Sequence, residues 1–149
     1  MEQIRKATWE DVYRIAELMV FTKRVNYRRI FNDDQYCFIR LSVPSILTEL
    51  REQPEILERM WVYDDGLVKG VAEIGGGEMR QLYVEEFFHS QGIGGKLLRF
   101  GVEEHGVHFL WVLEENHRAR AFYERHGFTW RGEWELGKET GKKLLKMER

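Results

Sequence analysis

Apolar and polar positions along this chain switch repeatedly between a period of two and a period near 3.6. "QIRKA" at residues 3–7 alternates as a short strand, and in "TWEDVYRIAELMVFTKRV" the positions Val12, Ile15, Ala16, Leu18 and Met19 fall on one helical stripe. Asp11 stands three positions after Thr8, a capping box with Asp in place of Glu, which predicts a helix N-terminus there. Residues 26–40, "NYRRIFNDDQYCFIR", mix aromatics and charges without a clean period and predict a loop or irregular helix. "VPSILTELREQPEI" predicts a short helix ended by Pro54. Two β-like runs in "LERMWVYDDGLVKGVAEI" flank Asp65–Gly66, a dipeptide suited to a hairpin turn, and "EMRQLYV" follows the glycines as a third run. "GIGGKLLRFGVEEHG" then predicts a helix, "VHFLWVLEE" a buried strand, and "NHRARAFYERHG" a helix with Asn116 near its N-cap and Gly127 as its C-terminal signal. "FTWRGEWEL" and "KKLLKMER" predict a closing hairpin. The order β α α β β β α β α β β predicts the α/β class, as a mixed, mainly antiparallel sheet with helices on both faces, in one domain over residues 1–149.

Composition narrows the function classes. The 149 residues are 43% hydrophobic and 32% charged with only two prolines, a profile of a compact chain with one core. A formal net charge of −2 supplies no basic field for nucleic acid, so no nucleic-acid partner is expected. Cys37 is the lone cysteine, which excludes an internal disulfide and a Cys-rich zinc site. His105, His108, His117 and His126 lack metal-ligand spacing, so no metal is expected either. The start "MEQIRKATWEDV" has no apolar leader region and no window is apolar enough to span a bilayer, so the chain reads as cytoplasmic, without a membrane partner.

The stretch "HSQGIGGKLLRF" sets glycines in front of an apolar helical run. Unpaired N–H groups at a helix start, with glycines to admit an anion, make a phosphate site possible, and a plain tight turn equally so. A P-loop needs Gly with four residues between it and the Gly-Lys pair, and Ser or Thr after the lysine, where Ser90 and Leu97 stand. The dinucleotide fingerprint fails at Leu97, which should be glycine.

What remains, x-x-x-Gly-x-Gly after a strand ending "LYV", resembles the pyrophosphate-binding segment of the GCN5-related N-acetyltransferase superfamily. Gly92 and Gly94 fit that segment, and "NHRARAFYERHGF" is similar to the family's Asn-x-x-Ala-x-x-Phe-Tyr-x-x-x-Gly-Phe at Asn116, Ala119, Phe122, Tyr123, Gly127 and Phe128. The resemblance covers the whole chain and implies acetyl-CoA as co-substrate, with no metal. It implies that Leu82, Tyr83 and Val84 pair with pantetheine beside a bulge, and that His89, Ser90, Gln91, Gly92, Ile93, Gly94, Gly95 and Lys96 hold the pyrophosphate. Asn116, Ala119 and Tyr123 complete the cofactor wall. His89 stands where the family has Gln or Arg, and Glu86 where a proline is common.

Acetyl transfer to an amine needs a neutral amine, donors for the thioester oxygen and a proton for the leaving thiolate. The resemblance makes Tyr123 the general acid; Asn116 and Tyr123 are seven residues apart, two helical turns, and so share a side. Glu78, 14 positions before Gly92, resembles the catalytic glutamate of the histone-acetylating branch, with Glu73 in reserve and water as a further base. Acceptor choice in the family lies in the region holding Arg28, Arg29, Asp33, Asp34 and Arg40 and in the terminal hairpin "LGKETGKK". An amine on a small molecule or a protein fits, from a monomer or a homodimer. A non-catalytic acyl-CoA-binding or sensing module of the same fold is the other reading.

Overall fold

The computed structural model describes residues 3–31, 42–85, 88–89, 91–138 and 140–149, with the backbone alone for 26–31. Strand β1 (Ile4–Lys6) leads through a 3-10 turn (Trp9–Asp11) into α1 (Val12–Phe31), α2 (Val43–Glu52) and α3 (Pro54–Glu58). Then come β2 (Met60–Asp64), β3 (Val68–Gly75), β4 (Glu78–Val84), α4 (Ile93–His105), β5 (Phe109–Leu113), α5 (His117–Arg125), β6 (Thr129–Leu136) and β7 (Lys143–Glu148). The sheet order is β1-β2-β3-β4-β5-β7-β6, antiparallel except where β4 meets β5. The sheet and its helices follow the predicted mixed class. No helix among the described residues is long and apolar enough to cross a membrane.

Two boundaries differ from the sequence pattern. Helix α1 runs on to Phe31, through part of the stretch expected to be loop or irregular helix, because no glycine or proline interrupts the backbone there. Pro54 does end α2, but it also starts α3 at the first helical position, where the missing N–H costs no bond.

Alternation along β2 and β3 divides the apolar residues between two layers. Val62 and Val71 pack with Ile15, Leu18, Val20 and Leu50 of α1 and α2. Their neighbours Tyr63 and Ala72 pack on the other face with Leu97, Leu98, Phe128 and Leu145. Helix α4 lies close on that face at Gly101, where an added Cβ would sit 2.9 Å from Met79 Cε and 3.1 Å from Val107 Cγ2.

The β3–β4 register steps from Glu73↔Gln81 to Ile74↔Met79, so Arg80 is one residue extra and the ladder is bulged there. Between β4 and β5 the register holds the single pair Glu78↔Phe109, and beyond it the two strands part.

Arg5 ties β1 to its surroundings. Its guanidinium donates to both Asp11 oxygens at 2.9 Å and to Asp64 Oδ2 at 3.0 and 3.1 Å, while Asp11 also accepts the Thr8 N–H at 2.8 Å. Hydrogen bonds from Arg5 hold the Asp11 carboxyl below the usual carboxylate range. A carboxylate depressed in the folded state adds stability above its unfolded pKa of about 3.9 and loses it as pH falls through the folded value. Asp11→Asn is therefore expected to destabilise the protein at neutral pH by urea melts, with the gap to the parent closing in acid. A gap independent of pH would show that the charge is not what matters.

Candidate active site

Gly92 caps α4 in the left-handed region at φ +78°, a backbone state that glycine adopts without strain. The Lys96 amide closes the first helical bond onto the Gly92 carbonyl at 3.0 Å, which leaves the amides of Ile93, Gly94 and Gly95 without helical partners. They open on a cavity of about 510 Å³ whose wall includes Leu82 and Val84 of β4, Arg99 of α4, and Asn116, Arg118, Phe122, Tyr123 and Arg125 in the α5 segment. Thr22 of α1, a helix packed on the opposite face, also lines it. The cavity thus reaches through the sheet where β4 and β5 have parted.

Of the residues expected to bind cofactor, Leu82, Val84, His89, Gly92, Ile93, Gly94, Gly95, Asn116, Ala119 and Tyr123 lie on this wall. Tyr83 does not: opposite Val71, it turns to the α1 face, with Lys23 Nζ 5.7 Å from its ring centre. Lys96 does not either, since its amide is spent in the helix and its ammonium lies 5.6 Å over Tyr63. Gln91 is exposed and off the wall. Ser90, Asp33, Asp34, Cys37, Arg40 and Glu86, with the side chains of Arg28 and Arg29, lie outside the described residues. Thr22, Phe88, Arg99, Arg118, Arg125 and His126 line the cavity without having been singled out by their chemistry. For those in and after α5 the signal was in the letters, because the helix itself carries His117, Arg118, Arg120 and Arg125 against Glu124 alone and His126 follows it.

Asn116 Oδ1 accepts the Ala119 N–H at 3.2 Å and so caps α5, which leaves its NH2 group uncommitted among the described residues. Tyr123 packs edge-on against Phe122 and Phe128, at centroid distances of 5.2 and 6.2 Å. Its hydroxyl has no hydrogen-bond partner among the described residues, and burial pushes the phenol up to about 12. Glu78 lies past the bulge, opposite Gly75, which alternation along β3 puts on the same face as Val71 and Glu73, so it shares the α1–α3 face and sits at the closed end of the gap. Burial raises its carboxyl. Glu73 is a different case: Arg59 donates to Oε2 from two nitrogens at 2.8 and 2.9 Å, and Gln81 to Oε1 at 2.6 Å. A carboxylate fixed in this way inside the core is poorly suited to accept a substrate proton.

Residues 57–130 match the acetyltransferase (GNAT) domain family. The chain belongs to the GCN5-related N-acetyltransferase superfamily. A Mycobacterium tuberculosis protein named as a probable N-acetyltransferase is 28% identical over 140 residues, covering 85% of this chain and 79% of its own. Among solved structures, apo-form YjaB from Escherichia coli superposes with a TM-score of 0.72 at 18% identity, over 97% of this chain and 95% of that one. YncA from Salmonella typhimurium, solved with its cofactor acetyl-CoA, gives 0.63 at 20% identity, over 98% and 91%.

Measured against the superfamily's segment, His89 is the departure, and the geometry shows what it does. The Val84 carbonyl lies 2.9 Å from Nε2 and can only accept; Arg118 lies 3.2 Å from Nδ1 and can only donate. The ring therefore carries its proton on Nε2, fastens the end of β4, and steers the Arg118 guanidinium onto the cavity wall. A cation does stand beside the glycine turn, supplied from α5.

Proposed function

We propose that this chain transfers an acetyl group from acetyl-CoA to a primary amine, of a small molecule or a protein, by direct attack in a ternary complex. The observation that carries this reading is the cavity through the β4–β5 gap, with unpaired helix amides on its wall at one end and Thr22 of the opposite layer also on it. Its donor set fits the cofactor: amides of Ile93–Gly95 and the Arg118 guanidinium suit a diphosphate, and among the described residues no carboxylate lines the wall.

Acetyl-CoA supplies, when bound, an acetyl group activated as a thioester. The edge of β4 beyond Glu78, which has no β5 partner, offers N–H and C=O groups to a slender chain lying in the gap, and Leu82 and Val84 offer apolar cover. Tyr123 gives its proton to the departing sulfur as the C–S bond breaks and the C–N bond forms. Glu78, from the other face, takes the amine's proton directly or through a water.

The test is acetyl-CoA-dependent thiol release against a panel of amines and peptides; no release with any acceptor, despite binding of acetyl-CoA, would leave a binding module. Glu78→Gln adds a check on the base. Burial raises this carboxyl, so the active, ionised form is lost as pH falls through a value above the usual one, and kcat/KM should show an acid limb there. In Glu78→Gln that limb should vanish along with about 10²-fold or more of the rate. A limb that survives the substitution assigns the proton to water or another group.

A further inference from the structure

We infer that Arg99, Arg125 and His126 form a subsite for the 3′-phosphate of CoA, so that this chain distinguishes CoA from 3′-dephospho-CoA. The inference rests on the acetyl-CoA reading above and adds to it a second anion site that the helix amides do not supply.

Three observations converge on it. Among the described residues the cavity wall holds three arginines and two histidines and no Asp or Glu, in a chain whose net charge is −2. Arg99 and Arg125 have no ion-pair or hydrogen-bond partner among the described residues, although both are long exposed cations in a chain rich in carboxylates. The heads of Arg99 and His126 also come together at the turn: a Cβ on Gly95 would lie 3.2 Å from an Arg99 guanidinium nitrogen and 3.3 Å from His126 Cε1. Both heads therefore sit directly beside the last of the free amides.

Assembling like charges without an acid raises the energy of the empty site. Burial first, and then Arg99, Arg125 and Arg149, lower the proton affinity of the His126 imidazole. A dianion would offset that repulsion, and guanidinium pairs suit phosphate oxygens. The order of groups on the ligand agrees. With the diphosphate on the amides of Ile93–Gly95, the next anion is the monoester on the 3′ oxygen of the adjoining ribose, one sugar away, and Arg99 stands one helical turn past Gly95. Arg118 is not available for that role: it is held by His89 and lies seven residues, about 10 Å of helix, from Arg125.

Calorimetric titration of the full chain with CoA and with 3′-dephospho-CoA tests this, in the parent and in an Arg99→Ala, Arg125→Ala double variant. Both residues are exposed, so the variant should keep its fold. The parent is expected to bind CoA about tenfold or more tightly over the dephospho form, by a margin that shrinks as salt rises. The double variant should bind both nucleotides alike, with the parent's affinity for 3′-dephospho-CoA. Equal binding by the parent, or discrimination that survives in the variant, overturns the subsite while leaving the acetyl-CoA reading intact. If neither nucleotide binds the parent, that reading falls and takes the subsite with it.

Discussion

Tyr123→Phe is expected to lower kcat by about 10²- to 10⁴-fold, the contribution of a positioned general acid, while the Kd of acetyl-CoA moves by less than about threefold. The two readouts separate because the ring and the hydroxyl have different jobs. Phe keeps the edge-on contacts with Phe122 and Phe128, so the wall of the cavity survives. The hydroxyl has no partner among the described residues, so its removal leaves no donor or acceptor stranded and costs the fold little. With the phenol pushed up to about 12, it stays protonated across the working range, and the deficit should be the same from slightly acid to slightly alkaline pH. A variant turning over within threefold of the parent would remove Tyr123 as the acid.

Arg59→Ala is expected to destabilise the protein by about 3 kcal/mol, the lower end of the cost of breaking a buried ion pair by removing one member. The lower end applies because the Arg59 side chain is 30% exposed, whereas that of Glu73 is 5% exposed. Without the guanidinium, the Glu73 carboxylate keeps only the Gln81 amide as a side-chain donor, in the middle of β3. Replacing both members, as Arg59→Met with Glu73→Leu, should recover most of the loss, since the penalty lies in the stranded charge more than in the missing attraction. Urea unfolding of the two single variants and the double variant measures this. Single variants within about 1 kcal/mol of the parent would mean that water reaches Glu73.

Much of the fold was legible because local chemistry and tertiary need agree. Asp65–Gly66 makes the β2–β3 turn as its letters suggest, with Gly66 at φ +114°, and the alternation of β3 sorts its side chains to two layers. The glycine turn and the α5 segment were legible for the same reason, since Gly92 must take a left-handed backbone and Asn116 must cap a helix. Legibility ends where a residue's part depends on a distant neighbour. Lys96 reads as an anion ligand until its place in α4 turns it toward Tyr63. Tyr83 sits between two cavity residues in sequence, and the strand's period of two alone sends it to the other face. His89 meets Arg118, 29 residues on, and only that contact shows how a cation reaches the turn without standing in it.

The parting of β4 and β5 has a mechanical side. Rungs join β1 through β4, and rungs join β5 through β7, but between these two panels the β4–β5 ladder has the single pair Glu78 and Phe109, beside which the Gly77 carbonyl accepts the His108 amide at 2.8 Å. They are hinged at one end and unlaced along the rest. On the proposed reading, a chain-like cofactor lying in the seam would lace them, so that loading and stiffening would be one event. An acceptor binding to the loaded form would then meet a frame already braced, and its own binding would carry less of the entropy of ordering.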